Sequence, residues 1–198
     1  MKQRGFTLIE AMVVVTIVTV LALAAAPNLS TWLDNIRIRN ASDAIQEGLQ
    51  TARAEAIKRN QNITFWLVTS NTLYQVDNSC ALSSTSGSWA VSVSDPSKHC
   101  GDSPSTTSAP RLVSARGVGD SGARVDVKAL QADGATASTS VTFNGFGRVT
   151  NANAISRIDV TGQTSGTAYR NLRITISPVG QIRLCDPSVS SSNDPRKC

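Results

Sequence analysis

The segment that shapes this protein most is GFTLIEAMVVVTIVTVLALAAA, residues 5–26. All but four of the 21 residues from 6 to 26 are hydrophobic, and Glu10 is the only charged one. As a helix, 21 residues span about 32 Å, close to the hydrocarbon thickness of a bilayer. Lys2 and Arg4 precede the run, and basic flanks stay on the cytoplasmic side. The sequence therefore predicts a single-pass helix with a cytoplasmic N-terminus.

A cleaved secretory signal is the ordinary alternative for an apolar N-terminus. Ala24, Ala25 and Ala26 would supply its small-residue cleavage site. Two features argue against it: the run is longer than the usual signal core, and a charge such as Glu10 inside it costs about 3 kcal/mol. A carboxylate retained in an apolar segment indicates a function and calls for a partner.

The motif GFTLIE at residues 5–10 closely resembles the class III signal of type IV pilins and type II secretion pseudopilins. The resemblance implies that a prepilin peptidase cuts after Gly5 and that the new N-terminal residue, Phe6, is N-methylated. It also implies that Glu10 meets the N-terminal amine of a neighbouring subunit, and that Pro27 kinks the helix. The implied domains are a cleaved leader at 1–5, a transmembrane assembly helix at 6–29 and a periplasmic head at 30–198.

Composition narrows the possible classes of protein. The chain has 198 residues, of which 17% are charged, with a net charge of +5 and a pI near 9.3. A single apolar run excludes a polytopic membrane protein, and sparse charge excludes a disordered charged chain. Loss of Lys2 and Arg4 with the leader lowers the formal charge from +5 to +3, which weakens the case for an anionic partner.

The rest of the chain reads as a helix followed by strands. An apolar stripe at helical spacing predicts helix to about residue 60, and Glu55 and Arg59 can pair one turn apart. The residues of the stripe are Ile45, Gly48, Leu49, Ala52 and Ala56. Strands are expected at 62–68, 72–76, 89–93, 124–130, 138–144, 155–161, 170–177 and 181–185, with a hairpin turn at 178–180. This order predicts an α+β fold.

The body of the chain resembles the GspH/FimT family of pilin-like proteins over nearly its whole length. The resemblance rests on ARAEAIKRN at 52–60, SWAV at 88–91, VTFNGFGR at 141–148, LRITIS at 172–177 and GQIRLCDP at 180–187. It implies the type IV pilin fold, in which a long N-terminal helix, membrane-spanning in its first half, packs on an antiparallel sheet. The C-terminal motifs resemble minor pilins of the FimT/FimU type.

Four cysteines lie in the part of the chain expected outside the cytoplasm, where disulfides form. Three connectivities are possible, and Cys80–Cys100 with Cys185–Cys198 is favoured because each pair brackets a Ser-, Pro- or Gly-rich loop. The second loop resembles the disulfide-closed end of many pilins. Secretion pseudopilins more often lack such cysteines, which favours a pilus component.

Three catalytic or cofactor motifs are rejected. GVGDSG at 117–122 fits the dinucleotide glycine pattern, but a strand-like segment follows it where a helix is needed. The same segment with His99 suggests a serine protease, yet only 22 positions separate His99 from Ser121. His99 beside Cys100 could help bind a metal, but no C-x-x-C motif supports it. We therefore expect no enzyme activity, no cofactor and no metal.

Basic residues near the C-terminus raise the possibility of DNA binding. They are Arg170, Arg173, Arg183, Arg196 and Lys197. DNA-binding members of the FimT type carry a Gly-Arg-x-Arg motif near this place, and GQIR at 180–183 keeps only its second arginine, Arg183. A lost phosphate contact weakens such a site. DNA binding, with contacts from Arg183, Arg196 and Lys197, is therefore kept as an alternative to a pilus subunit that binds no DNA.

The sequence favours a minor pilin of type IV pili. It would wait in the inner membrane, meet the prepilin peptidase and methyltransferase, and join other minor pilins and the major pilin in a filament. There it would prime assembly as part of a tip complex and support twitching motility and adhesion. The alternatives are a type II secretion pseudopilin and a DNA-binding minor pilin for natural transformation.

Overall fold

The structure is a computed structural model that describes residues 7–72, 74–119, 124–163 and 169–198, without the side chains of residues 24–28. The chain divides into two compact units, Met1–Leu33 and Asp34–Cys198. One long helix, α1 at Leu8–Arg59, runs through the boundary between them. Pro27 lies within α1, and the kink expected there stays a prediction because its side chain is outside the described set.

The first unit consists of the start of α1. Its large apolar side chains from Leu8 to Leu23 are 52% to 79% exposed. They point in every direction around the helix, since they occupy consecutive positions such as Val13, Val14 and Val15. Among the described residues, no helix is both long and apolar enough to cross a membrane.

The second part of α1 packs against the head through one face. That face is fully or nearly fully buried and comprises Ile38, Ala41, Ile45, Leu49, Ala52 and Ala56. The spacing of three and four residues is that of an amphipathic helix, and the predicted stripe is confirmed. The helix stops at Asn60, whose φ of 48° is left-handed, while the Gln61 N–H donates to the Ala56 carbonyl at 3.2 Å.

The described residues after α1 form nine antiparallel strands in two sheets. They are β1 (Ile63–Thr69), β2 (Ala81–Leu82), β3 (Trp89–Ser92), β4 (Leu112–Arg116), β5 (Val125–Leu130), β6 (Ser140–Phe143), β7 (Arg157–Gly162), β8 (Leu172–Ile176) and β9 (Ile182–Cys185). In the first sheet β3 joins β1 to β4, and β2 and β6 pair with β1. The second sheet has the order β5-β7-β8-β9, and β8 and β9 form the predicted hairpin.

The helix and both sheets share one hydrophobic core. Phe65 of β1, Phe143 of β6 and Ile158 of β7 are fully buried in it, together with the apolar face of α1. A smaller cluster contains Val68, Val76, Cys80, Ala90, Cys100 and Leu112. The segment between β1 and β4 thus adds a second apolar cluster beside the main core.

The strand predictions differ from the structure at three places. Residues 72 and 74–76 form no strand, because hydroxyl groups bond within the segment: Thr72 donates to the Gln75 carbonyl and Ser70 to Asp77. The two-residue strand β2 was not predicted, and neither was strand β4. Three of its five side chains are only partly buried, so Val113, Ser114 and Ala115 give no clear alternation.

Candidate functional site

The start of α1 holds the residue expected to drive assembly. Thr7 precedes the helix, and its hydroxyl oxygen accepts the backbone N–H of Glu10 at 3.3 Å. Thr7 and Glu10 have the spacing of a capping box, and a carboxylate in the first turn suits the helix dipole. The Glu10 side chain is nevertheless exposed. Gly5 and Phe6, the expected cleavage and methylation positions, lie outside the described residues.

Glu10 is the only charged residue between residues 7 and 33. It stands at the start of a helical surface whose apolar side chains have no cover within the described chain. An uncovered apolar helix needs either lipid or other helices around it. In such surroundings an unpaired carboxylate is unfavourable, so it selects a cationic partner. This surface can therefore bind other helices and discriminate between their registers.

The opposite chain end is a disulfide-closed loop. Cys185 and Cys198 are bonded, which is the pairing favoured from the sequence. The Arg183 guanidinium donates to the carbonyls of Pro195 at 2.8 Å and Lys197 at 2.7 Å. These bonds tie β9 to the chain end, so Arg183 has a structural role within the loop.

Arg196 in the same loop binds a carboxylate. Its guanidinium donates to both oxygens of Asp194, at 3.1 and 2.7 Å. The hydrogen bonds from Arg196 lower the pKa of Asp194 to about 2. The structure thus brings Arg183, Arg196 and Lys197 together, but it engages the first two in contacts within the loop. Arg173 is also paired, with Asp159 at 2.6 Å. Their contact with DNA stays a prediction.

The second disulfide, Cys80–Cys100, closes the loop that contains His99. The His99 ring lies 2.9 Å from the Asp102 carboxylate, and hydrogen bonds from Asn78 and His99 lower the pKa of Asp102. In the described part of the chain no group of three or more His, Cys, Asp or Glu residues is arranged to hold a metal. Ser121 of the protease-like motif is outside the described residues.

The glycine motif at 117–122 lies between two strands. Strand β4 ends at Arg116, and β5 starts at Val125. A phosphate-binding loop requires a helix N-terminus directly after the glycines, and the rejection of this motif stays a prediction. Residues 120–122 of the motif fall outside the described residues.

The sequence interpretation missed an exposed aromatic residue. Phe146 is 83% exposed, although the family resemblance placed it in a strand motif. The signal was available in its neighbours, since Asn144, Gly145 and Gly147 are turn-forming residues. The structure places Phe146 in the turn after β6, where it faces solvent.

A long N-terminal helix with an uncovered apolar start, followed by an antiparallel sheet head, is the type IV pilin fold. Family models agree with this class. The model of the type II transport protein GspH matches residues 41–180, and that of the prokaryotic N-terminal methylation motif matches residues 1–26. The first match covers more than half of the chain, so the chain belongs to the GspH family of pilin-like proteins.

Two crystal forms of the type IV minor pilin FimU of Pseudomonas aeruginosa (strain PAO1) are similar to the chain. The first is 14% identical with a TM-score of 0.48, covering 78% of this chain and 92% of that one. The second is 15% identical with a TM-score of 0.44, covering 78% and 97%. No curated protein matches the chain. Because both TM-scores are below 0.5, the family assignment rests on the family models alone.

Proposed function

We propose that the chain is a minor pilin, a structural subunit of type IV pili without catalytic activity. The observation that carries the proposal is the start of α1, which is apolar on all faces, uncovered, and marked by the single carboxylate of Glu10. Membership of the GspH family and the methylation motif support the same function. Other pilins would cover this helix in a filament.

Processing and membrane anchoring precede assembly in this proposal. The prepilin peptidase removes residues 1–5, and the methyltransferase modifies the amine of Phe6. Residues 6–29 then anchor the subunit in the inner membrane with a cytoplasmic N-terminus, and residues 30–198 form the periplasmic head. The sequence supports the anchor, because all but four of the 21 residues from 6 to 26 are hydrophobic.

Glu10 sets the position of the subunit in the filament. Its partner is the N-terminal amine of Phe6 in a neighbouring subunit, the nearest positive charge that an otherwise apolar pilin helix provides. A charge pair buried among apolar helices favours one register, because any other register leaves two charges unpaired. The head then faces outward in a tip complex with other minor pilins, where it primes addition of the major pilin and supports twitching motility and adhesion.

Sheared pili test this proposal. An antibody against the head should detect the chain in pili sheared from the cells that make it. Mass spectrometry of that material should give a mature chain starting with N-methylated Phe6. Deletion of the chain should reduce piliation and twitching. Absence of the chain from pili, together with normal piliation in the deletion strain, would overturn the proposal.

A pseudopilin of type II secretion is the second candidate. The match to the model of type II transport protein GspH favours it. The disulfide-closed C-terminal loop argues for the pilus. In a deletion strain the two functions separate: loss of a pseudopilin leaves secreted enzymes in the periplasm with pili intact, whereas loss of a minor pilin has the reverse effect.

DNA capture for natural transformation is a third and weaker candidate. It needs phosphate contacts from Arg183, Arg196 or Lys197. To contact DNA, Arg196 would have to leave the carboxylate of Asp194, to which it makes two hydrogen bonds. A gel shift with the full chain in detergent at varied salt tests this candidate, and no retardation at low salt would remove it.

A further inference from the structure

Three exposed apolar side chains lie on segments that meet at one end of the head. Phe146 of the turn after β6 is 83% exposed, Val179 of the β8–β9 hairpin 57%, and Ile57 of the last turn of α1 49%. The three segments meet at Gly147, which lies beside both Ile57 and Gly180. We call Ile57, Phe146 and Val179 the turn patch.

The turn that carries Phe146 is held by its own backbone contacts. The side-chain oxygen of Asn144 accepts the N–H groups of Phe146 and Arg148, each at 3.0 Å. The Gly147 N–H donates to the Asn144 carbonyl at 2.8 Å. Since none of these bonds involves the ring of Phe146, the turn keeps its conformation whatever side chain stands at that position.

The hairpin that carries Val179 is fixed against the same turn. The Pro178 carbonyl accepts the Val149 N–H at 3.1 Å, and Arg53 of α1 donates to the Gly147 carbonyl at 3.2 Å. A Cβ at Gly180 would overlap the Gly147 carbonyl oxygen, so the two turns touch through their backbones. The turn patch is therefore presented on a fixed backbone, which lowers the entropy lost on binding.

The charges around the turn patch leave one cation available. Lys58 binds Glu55, and Arg53 binds the Gly147 carbonyl. Arg148 is exposed, and its guanidinium has no hydrogen bond or ion pair among the described residues. The surface thus combines three apolar side chains with a free guanidinium, and it fits an apolar partner that carries a carboxylate.

We propose that the turn patch binds the α1 helix of a neighbouring pilin subunit, at the segment just after its apolar run. This chain shows what such a segment offers: Leu29 and Trp32 are exposed, and the partly buried Asp34 carries a carboxylate that would have to leave Arg37 to reach Arg148. A head surface and a helix surface that complement each other form a heterologous contact, and repetition of such a contact builds a helical filament. The inference rests on the proposed pilin function.

Photo-crosslinking in pili tests the contact. The full chain carries p-benzoylphenylalanine at position 146, or at Tyr74, an exposed aromatic position away from the turn patch, as the control. After irradiation, mass spectrometry should map the position-146 crosslink to a pilin helix, at residues aligned with 29–36 of this chain. Crosslinks from position 146 to a pilin head or to a protein that is not a pilin would overturn the inference, as would equal yields at the two positions.

A substitution measures the contribution of the patch. Phe146→Asp should lower the share of the chain found in sheared pili by about tenfold, since exposed aromatic anchors dominate interfaces. Tyr74→Asp should leave that share unchanged. Circular dichroism of both variants in detergent should match the parent, since neither side chain is buried. Normal incorporation of Phe146→Asp would overturn the inference, whereas absence of the unsubstituted chain from pili would overturn the proposed function itself.

Discussion

The two halves of α1 belong to one helix and have opposite surfaces. In the described side chains of residues 8–23 and 29–33 apolar groups occupy every face and are exposed, and Glu10 is the only charge. In residues 34–59 a buried stripe from Ile38 to Ala56 holds most of the apolar side chains, although Ile36 and Ile57 are exposed, and charged side chains occupy the other faces. The second half has its partner within the chain, whereas the first half needs lipid or other helices.

The charged faces show the same contrast. In the second half Arg39 binds Asp43 at 3.0 Å, and Arg59 binds Glu55 at 2.6 Å. Burial raises the pKa of Glu55, but the hydrogen bonds and charges of Lys58 and Arg59 outweigh it and lower the pKa overall. Such pairs are typical of a solvated helix face and contribute little to stability. Glu10 has no such basic neighbour in the first half.

Truncation of an apolar residue should therefore have very different effects in the two halves. Leu49→Ala removes a fully buried side chain and should lower the free energy of unfolding of the head by about 2–5 kcal/mol. Leu21→Ala, in the exposed half, should change it by less than about 0.5 kcal/mol. Thermal and denaturant unfolding of the full chain in detergent checks both. Equal losses of unfolding free energy for the two variants would contradict the difference between the two halves of α1.

Gly48 should show how closely the second half approaches the sheet. A Cβ at this position would lie 2.6 Å from the Trp89 ring and 2.8 Å from the Phe65 ring. Alanine favours an exposed helix by about 1 kcal/mol, but here the overlap should reverse the sign, so that Gly48→Ala destabilises the head by about 1–3 kcal/mol. The matched control Gln50→Ala, on the exposed face, should stay within about 0.5 kcal/mol in the same unfolding assay. A stabilising Gly48→Ala would disprove the close contact.

A pH titration tests a charge pair that lies outside the apolar first half of α1, the pair of Asp194 and Arg196 in the C-terminal loop. Hydrogen bonds from Arg196 hold the pKa of Asp194 at about 2, well below the usual range of an aspartate. A lowered carboxyl pKa stabilises the folded loop above about pH 4, and the stabilisation is lost as the pH falls towards 2. NMR titration of the Asp194 carboxyl should give the low pKa, and Arg196→Gln should raise it towards the ordinary value. A pKa that the substitution does not move would contradict the pairing.

The sequence predicted those features of the fold that local patterns determine. Helical spacing predicted the buried stripe of α1, and the turn residues 178–180 predicted the β8–β9 hairpin. Strand β4 was not predicted, because it forms by pairing with β3, which is distant in sequence. The hydrogen bond from Arg183 to the Pro195 carbonyl was not predicted for the same reason. Contacts between distant segments leave no periodic signal.

We expect Glu10 to act in assembly through its charge. Its place in a capping box offers a purely local role, which glutamine can fill as well as glutamate. Glu10→Gln therefore separates the roles, and Glu47→Gln, an exposed carboxylate on the second half of α1, is the matched control. In sheared pili we expect processed Glu47→Gln at the parent level and Glu10→Gln absent, although processed and retained in the membrane. Equal incorporation of the two variants would show that assembly does not depend on the charge of Glu10.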